Sequence, residues 1–276
     1  MKFHEVKGRI SLARLDQYYT KRSTAQELLK KLSFDKYDYV LEPSAGDGAF
    51  FDYLPEIKRI GIDLDPPGKG VIKQDFFTFK PESGKSYFVV GNPPFGKNAS
   101  LAKAFFNYSA QFADKIAFIV PRTFRKYSLT NRLDRHFWLV HEESLPKNSF
   151  RLTCGKEYDV PCVFQLWEKR KDLREIVKLP LTHNDFEFTD RSNASFAIRR
   201  VGVNAGKVFE TGPSLSVSSH YFIKGCAKTK KVFQTMWEDA FSKDADPNKE
   251  GIKWDTAGNP SLSKRELVSL YEDTRG

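Results

Sequence analysis

Asn92, Pro93, Pro94 and Phe95 come directly after the apolar run Tyr87-Phe88-Val89-Val90 and Gly91 in the stretch SYFVVGNPPFGKN. The run is short and rich in β-branched and aromatic residues, which predicts a buried strand. Pro93 has no N–H for a β-ladder and drives Asn92 into an extended conformation, so the strand must stop there. Beyond it lies a stiff segment that holds an amide side chain, backbone carbonyls and an aromatic ring in fixed directions. A Pro-Pro loop that only ends a strand would read the same way in isolation, so the neighbouring strand ends have to decide.

Those ends carry acids. In LEPSAGDG the strand closes at Glu42 and the chain turns through Gly46 and Gly48, where a ligand can lie against the main chain. A dinucleotide site needs a third glycine, and Phe51 stands at that position. Glu42 and Asp47 flank the turn, which disfavours a phosphate and favours a ligand with a positive centre. Asp63 ends the next strand, IGID, where an acid accepts hydrogen bonds from ribose hydroxyls. Asp75 and Phe76, in QDFF, pair a carboxylate for the exocyclic amine of an adenine with a ring to cover its face. Asp47 and Asp65 read more simply as solvated turn acids.

The elements that must position these residues alternate. A helix is expected from Ser23 or Thr24 through STAQELLKKLSF, then strands at DYVLEPS, KRIGIDLDP and GVIKQDFF, with a short helix after the glycine turn. The strand before Asn92, an amphipathic helix at NASLAKAFFNYSAQFA and a strand at KIAFIVPRTF come next. This alternation predicts an α/β fold with a doubly wound, Rossmann-like parallel sheet, whose ligands sit outside the C-terminal strand ends. Glu42, Asp63, Asp75 and Asn92 all fall at such ends. RHFWLVHEESLP and YDVPCVFQLWEK predict two further strands and an antiparallel finish. The charge run KRKDLREIVKLP marks a boundary, giving a domain over 1–175 and a smaller, β-rich domain over 176–276 that ends in a helix at SLSKRELVSLYED.

Lys and Arg number 45 against 35 Asp and Glu, a formal charge of +10, and 14% of residues are aromatic. That balance suits a polyanionic partner with faces to stack on, and nucleic acid fits it. Cys154, Cys162 and Cys226 have no metal or disulfide spacing, so a reduced, cytoplasmic protein with mostly packing cysteines and no metal is expected. No apolar stretch reaches the length of a membrane span, and MKFHEVKGRISLAR lacks the apolar core of a signal peptide.

In order, VLEPSAGDGAFF, IGIDLDP, QDFF and VVGNPPF resemble the class I S-adenosylmethionine-dependent methyltransferases that modify exocyclic amino groups, in particular N6-adenine enzymes of gamma-type motif order. LDQYYTKRSTAQELL resembles the motif that precedes their sheet, and the likeness spans roughly residues 14 to 125. It implies a seven-stranded methyltransferase sheet, S-adenosyl-L-methionine as cofactor and a target-recognition role for the C-terminal domain. It places the methionine moiety near Tyr18, Thr20, Glu42, Pro43, Ser44 and Gly46, the ribose at Asp63, and the adenine at Asp75 and Phe76. It makes Asn92, Pro93, Pro94 and Phe95 the catalytic segment, Phe95 standing where the family often has tyrosine.

Arg122, Arg125, Lys126 and Arg132 lie beyond the next strand end and are candidate phosphate contacts. Phe124 and Tyr127 are candidate stacking rings beside them. Arg199, Arg200, His220, Tyr221 and Lys224 are candidate target contacts in the C-terminal domain. The expected activity is methylation of adenine N6 in DNA, ahead of RNA adenine, a protein glutamine amide, or a catalytically silent nucleic-acid-binding scaffold.

Overall fold

The computed structural model describes residues 18–67, 69–152, 154–241, 251–256 and 258–276. The N-terminal stretch read for a signal peptide and the first residues of LDQYYT lie outside the described residues. The chain divides into two compact units, Met1–Glu175 and Ile176–Gly276.

The first unit holds β1 (Tyr19–Thr20), α1 (Arg22–Leu29), β2 (Tyr39–Glu42), β3 (Arg59–Asp63), β4 (Val71–Lys73) and β5 (Tyr87–Gly91). After these come α2 (Ser100–Ser109), β6 (Lys115–Pro121), α3 (Tyr127–Thr130), β7 (Phe137–Ser144), β8 (Phe150–Arg151), β9 (Glu157–Tyr158) and β10 (Cys162–Lys169). Seven strands form one sheet in the order β4-β3-β2-β5-β6-β10-β7. The first five run parallel, and β10 is antiparallel to both its neighbours. The chain leaves β2 toward β4 and returns to β5 on the other side of β2. This Rossmann-like, doubly wound arrangement puts its switch point between β2 and β5, where such sheets bind ligands.

The helical layers are thinner than the sequence predicts. α1 starts at Arg22 with Lys21 as an N-cap that makes no side-chain bond, so neither Ser23 nor Thr24 caps it. After the glycine turn there is a single 3-10 turn, Phe51–Tyr53, and before β5 another, Phe76–Thr78. Aromatic side chains fill the space that longer helices would occupy. Every residue of β5 is buried, and Phe106 of α2 meets Phe137 and Trp167 edge-on at centroid distances of 5.7 and 5.3 Å. Edge-to-face geometry adds to the area each ring buries.

β1, β8 and β9 form a small separate antiparallel sheet that sequence periodicity does not reveal, because its strands are two residues each and β1 is distant in the chain from β8. Cys162 is buried in β10, whereas Cys154 and Cys226 are exposed, so only one of the three cysteines is a packing residue. Burial pushes the Cys162 thiol up, which keeps it protonated.

The second unit has a four-stranded antiparallel sheet of β11 (Phe186–Thr189), β12 (Phe196–Arg199), β13 (Val208–Phe209) and β14 (His220–Gly225), ordered β11-β14-β12-β13. Two helices accompany it, α4 (Ala227–Ala240) and α5 (Lys264–Arg275), and the sequence pattern does not predict α4. Its buried Thr229, Phe233 and Met236 recur at helical spacing. α5 opens with a capping box, in which Ser263 Oγ accepts from Glu266 N and Glu266 Oε2 accepts from Ser263 N. Among the described residues no helix is long and apolar enough to cross a membrane.

Phe106 is fully buried in the first unit's core, so Phe106→Ala is expected to lower that unit's unfolding free energy by about 3–5 kcal/mol. Urea unfolding monitored by tryptophan fluorescence checks this, and a loss under about 1 kcal/mol would contradict such packing.

Candidate functional site

Parallel pairing carries three of the polar residues to one edge. Glu42, the last residue of β2, pairs with Gly61 in register, so β3 runs on two residues further to place Asp63 just beyond the same edge. β5 runs parallel on the other side of β2 and delivers Asn92 at its end. The glycine turn is then tied to both neighbours. Ala45 N donates to Ile62 O at 2.9 Å, and Gly46 N donates to Asp63 Oδ2 at 2.8 Å. Asp65 N donates to Asp63 Oδ1 at 2.9 Å, so Asp63 is held rigidly while each oxygen keeps a free lone pair. Ser44 Oγ donates to the Asn92 carbonyl at 3.1 Å, locking turn to tetrapeptide. Gly46 has φ +50°, and a Cβ there would lie 3.2 Å from the Tyr19 ring.

Glu42 is 2% exposed and leads directly into buried Pro43. Its carboxyl is pushed well above the usual carboxylate range by burial, with the charges of Asp47, Asp63 and Asp52 acting in the same direction. A backbone hydrogen bond from Phe51 opposes the shift. The side chain packs on Gly91, where φ is +149° and a Cβ would stand 3.0 Å from Glu42 Cγ. Since the folded state keeps a proton that the unfolded chain releases, stability falls as pH rises from the ordinary glutamate value toward the raised one.

The small sheet closes over the same edge. Asn92 Nδ2 donates to the Tyr18 carbonyl at 3.2 Å. A carbonyl can only accept, so this contact fixes which way the amide points. Tyr18 stacks on Tyr158 with centroids 4.8 Å apart and planes 5° from parallel. Arg151, opposite Tyr19 in the ladder, forms an ion pair with Asp47 and lies over the Tyr19 ring at 5.6 Å. Arg22 binds Asp52 and the Asp47 carbonyl. Asp47 is therefore a latch for the small sheet and not merely a solvated turn acid. Asp65 is exposed and pairs with Lys73.

Three buried side-chain oxygens at this edge, Thr20 Oγ1, Glu42 Oε2 and Asn92 Oδ1, have no hydrogen-bond partner among the described residues. Buried polar atoms left unpaired cost roughly 1–3 kcal/mol each, a cost that a polar ligand at this edge would relieve. The chain beyond Phe95 is strained as well. Gly96, Asn98 and Ala99 all have left-handed φ values, and for Ala99, which is buried, that conformation is costly.

Other expected site residues are placed differently. Phe76 is 2% exposed and stacks on Phe105 at 5.1 Å, so its face is already covered. Asp75 Oδ1 caps the adjoining turn by accepting from Phe77 N. Phe95 is 7% exposed, with the Tyr18 ring 6.5 Å away. Phe124 and Arg122 are buried in the turn after β6, where Phe124 joins the core, so neither lies on a surface that meets bases or phosphates. Arg125 is spent on Glu142 and Ser144. Lys126 is half-buried, while Arg132 and Tyr127 are exposed. Lys103, which the sequence pattern does not single out, is lowered by burial and by the neighbouring Arg132 charge.

In the second unit Arg199 bonds to the Val201 carbonyl and Tyr221 to that of Leu262. Arg200 lies over Tyr221, His220 is buried, and Lys224 pairs with Glu187. Of these candidate contacts only Lys224 is exposed. Among the described residues no group of three His, Cys, Asp or Glu side chains is arranged to hold a metal.

No protein-family model matches the chain, and no curated protein matches it. Solved structures similar to it include a Pyrococcus horikoshii protein provisionally described as an RNA methyltransferase, 20% identical at TM-score 0.46, covering 59% of this chain and 91% of its own. Another is the modification subunit of a provisionally described type I restriction enzyme from Vibrio vulnificus, 14% identical at TM-score 0.39, covering 60% of this chain and 48% of its own. A third is the 16S rRNA methyltransferase RsmC of T. thermophilus in complex with AdoMet and guanosine, 12% identical at TM-score 0.37, covering 80% and 54%. At these identities and scores no residue role passes from them to this chain.

Arg151→Ala removes the latch on the glycine turn. Because that pair is partly exposed, the loss of global stability should stay under about 1 kcal/mol. Hydrogen exchange should nevertheless quicken at Gly46–Gly48 and at Phe150–Tyr158; unchanged exchange at both would mean that the small sheet does not hold the turn.

Proposed function

We propose that the chain is an S-adenosylmethionine-dependent methyltransferase that acts on the N6 amino group of adenine in DNA. The observation that carries the proposal is Asn92. Its Oδ1 is buried and unpaired while its Nδ2 is fixed by the Tyr18 carbonyl. An acceptor held in one orientation at a ligand-binding sheet edge is the group needed to receive an amino hydrogen.

The residues at the edge suit the cofactor. Glu42 and Asp63 stand at the glycine turn with no basic side chain paired to either among the described residues, which is hostile to a pyrophosphate and favourable to a sulfonium or ammonium. Thr20 Oγ1 and Glu42 Oε2 supply buried polar atoms for an amino-acid moiety, and Asp63 retains acceptor capacity for ribose hydroxyls. Pro43, Ser44 and Gly46 supply the turn itself, and Asp75 an acceptor for the adenine amine. When bound, S-adenosylmethionine supplies an electrophilic methyl group on its sulfonium.

The chain's own task is to make the nucleophile. An adenine amino nitrogen is a poor one because its lone pair is delocalised into the ring. With one hydrogen bonded to Asn92 Oδ1 and the other to the Pro93 carbonyl, the nitrogen is drawn toward tetrahedral geometry and its lone pair is localised. Pro93 and Pro94 hold these acceptors without reorganisation, so the contribution is electrostatic and positional and no strong base is required. The proton leaves late, to solvent. Phe95 forms an apolar wall behind the acceptors, and stacking against its ring requires the side chain to become more exposed than it is. In duplex DNA the base must leave the helix, at a cost of roughly a few kcal/mol. Arg132 and Lys126 remain as phosphate contacts, and the 176–276 unit is assigned to target recognition.

Labelled S-adenosylmethionine offered with duplex DNA, single-stranded DNA, structured RNA and a protein extract should leave label in N6-methyladenine of DNA. Label confined to RNA adenine or protein glutamine would redirect the substrate, and no transfer to any of these substrates would overturn the proposal. Asn92→Ala is expected to lower kcat by at least about 10²–10³-fold, with cofactor affinity nearly unchanged by equilibrium dialysis. Asp63→Ala should do the reverse and weaken cofactor binding about ten- to a hundredfold, as expected for lost hydrogen bonds to a charged acceptor.

A further inference from the structure

Glu42 is not fully explained by its place at the site. A carboxylate at the end of a buried strand normally has its oxygens hydrogen-bonded or paired with a cation. Here the residue is 2% exposed, and among the described residues its Oε2 has no partner and no cation is paired with it. The elements around it bring more negative charge. Asp47 and Asp52 act on it from the glycine turn and the adjoining 3-10 turn, and Asp63 from the end of β3. β5 contributes the bare backbone of Gly91, and a backbone hydrogen bond from Phe51 is outweighed by burial. The nearby guanidinium groups are committed elsewhere, Arg151 to Asp47 and Arg22 to Asp52.

An isolated ionised carboxylate cannot be kept in such a setting at reasonable cost, and the group takes up a proton instead. A cation brought against Oε2 reverses the balance, because attraction in a water-poor site favours the charged form. Resting on the cofactor reading above, we infer that Glu42 is uncharged in the ligand-free protein and releases its proton to solvent when the positively charged cofactor enters. Binding is thereby proton-linked, and Glu42 selects for positive charge in the ligand. The balance is simple: the carboxyl O–H bond breaks, the proton goes to buffer, and the carboxylate pairs with the incoming cation.

Linkage sets the sign of the pH effect. Below the bound-state pKa of Glu42 both forms hold the proton, and above the ligand-free value neither does. Between the two, burial having raised the ligand-free value, affinity rises with pH by up to about tenfold per unit and about one proton is released per cofactor bound. Across that window the neutral form is the one displaced.

Isothermal titration of the full chain with S-adenosylmethionine, from about pH 5 to 8 in buffers of different ionisation enthalpy, counts the protons directly. Any proton belonging to the ligand appears equally in Glu42→Gln, so the difference between the two proteins is the quantity to read. The expected result is release approaching one proton in the wild type within the window and none of that excess in Glu42→Gln, whose affinity should be flat with pH apart from the ligand's own titration. Binding with the same proton count in both proteins overturns the inference and leaves the cofactor reading standing. Absence of binding to the wild type overturns the cofactor reading and the inference with it. Should Glu42→Gln fail to fold or bind, the infrared difference spectrum of the wild type decides: a protonated-carboxyl C=O band must be lost on adding the cofactor, and a band that persists rejects the inference.

Discussion

The bond from Asn92 Nδ2 to the Tyr18 carbonyl ties together parts of the chain that no local rule would join. Asn92 comes from the end of β5, and its position along the sheet is fixed by parallel pairing with β2 and β6. Tyr18 is held because Tyr19 and Thr20 pair with Arg151 and Phe150, far along the chain. The amide can keep its oxygen turned away from the backbone only while both supports stand. Ser44 adds a third, through the Asn92 carbonyl. A single acceptor is thus oriented by the central sheet, the glycine turn and the small sheet at once, the kind of surrounding support that precise positioning requires.

The sheet tolerates thin helical layers because its strands are covered by rings. Phe76, Phe105, Tyr108 and Phe112 make one connected aromatic cluster, with Phe76 at its centre. A short 3-10 turn is enough to carry such residues, since each phenyl group buries a large apolar area from a single position. The ligand edge is affected too. Phe76 belongs to the packing of the crossover, so the acid beside it, Asp75, is separated from the stacking role its neighbour suggested and is engaged in capping the turn.

What was legible in the sequence was what depends on near neighbours. Strand ends declared themselves through proline, glycine and acids, and Glu42, Asp63 and Asn92 do meet at one edge because parallel pairing aligns the ends of adjacent strands. The antiparallel finish was also readable from its apolar runs. The small sheet was not, since two-residue strands leave no periodicity, and Arg151 and Asp47 gave no sign of each other across 104 positions. Burial of single basic or aromatic residues was equally hidden. Arg122 and Phe124 sit in a motif that alternates charge and ring as a nucleic-acid patch would, yet the turn after β6 directs both inward. α4 was missed because its apolar stripe is narrow and its flanks are lysine-rich, a pattern that resembles a solvated loop.

Charge distribution at the edge connects these features. Four acids, Glu42, Asp47, Asp52 and Asp63, lie around one glycine turn, and two arginines neutralise the outer pair. Asp63 spends its charge on two backbone N–H groups. Each of these three is thus compensated from within the protein, and among the described residues Glu42 is the one left without a counter-charge. If the acids served stability alone, an apolar residue of similar volume would do better at the buried position, since a buried carboxyl with one oxygen unpaired and no counter-charge costs free energy. A glutamate at the switch point, pressed against a glycine that leaves room for it, makes sense when the missing counter-charge arrives with the ligand.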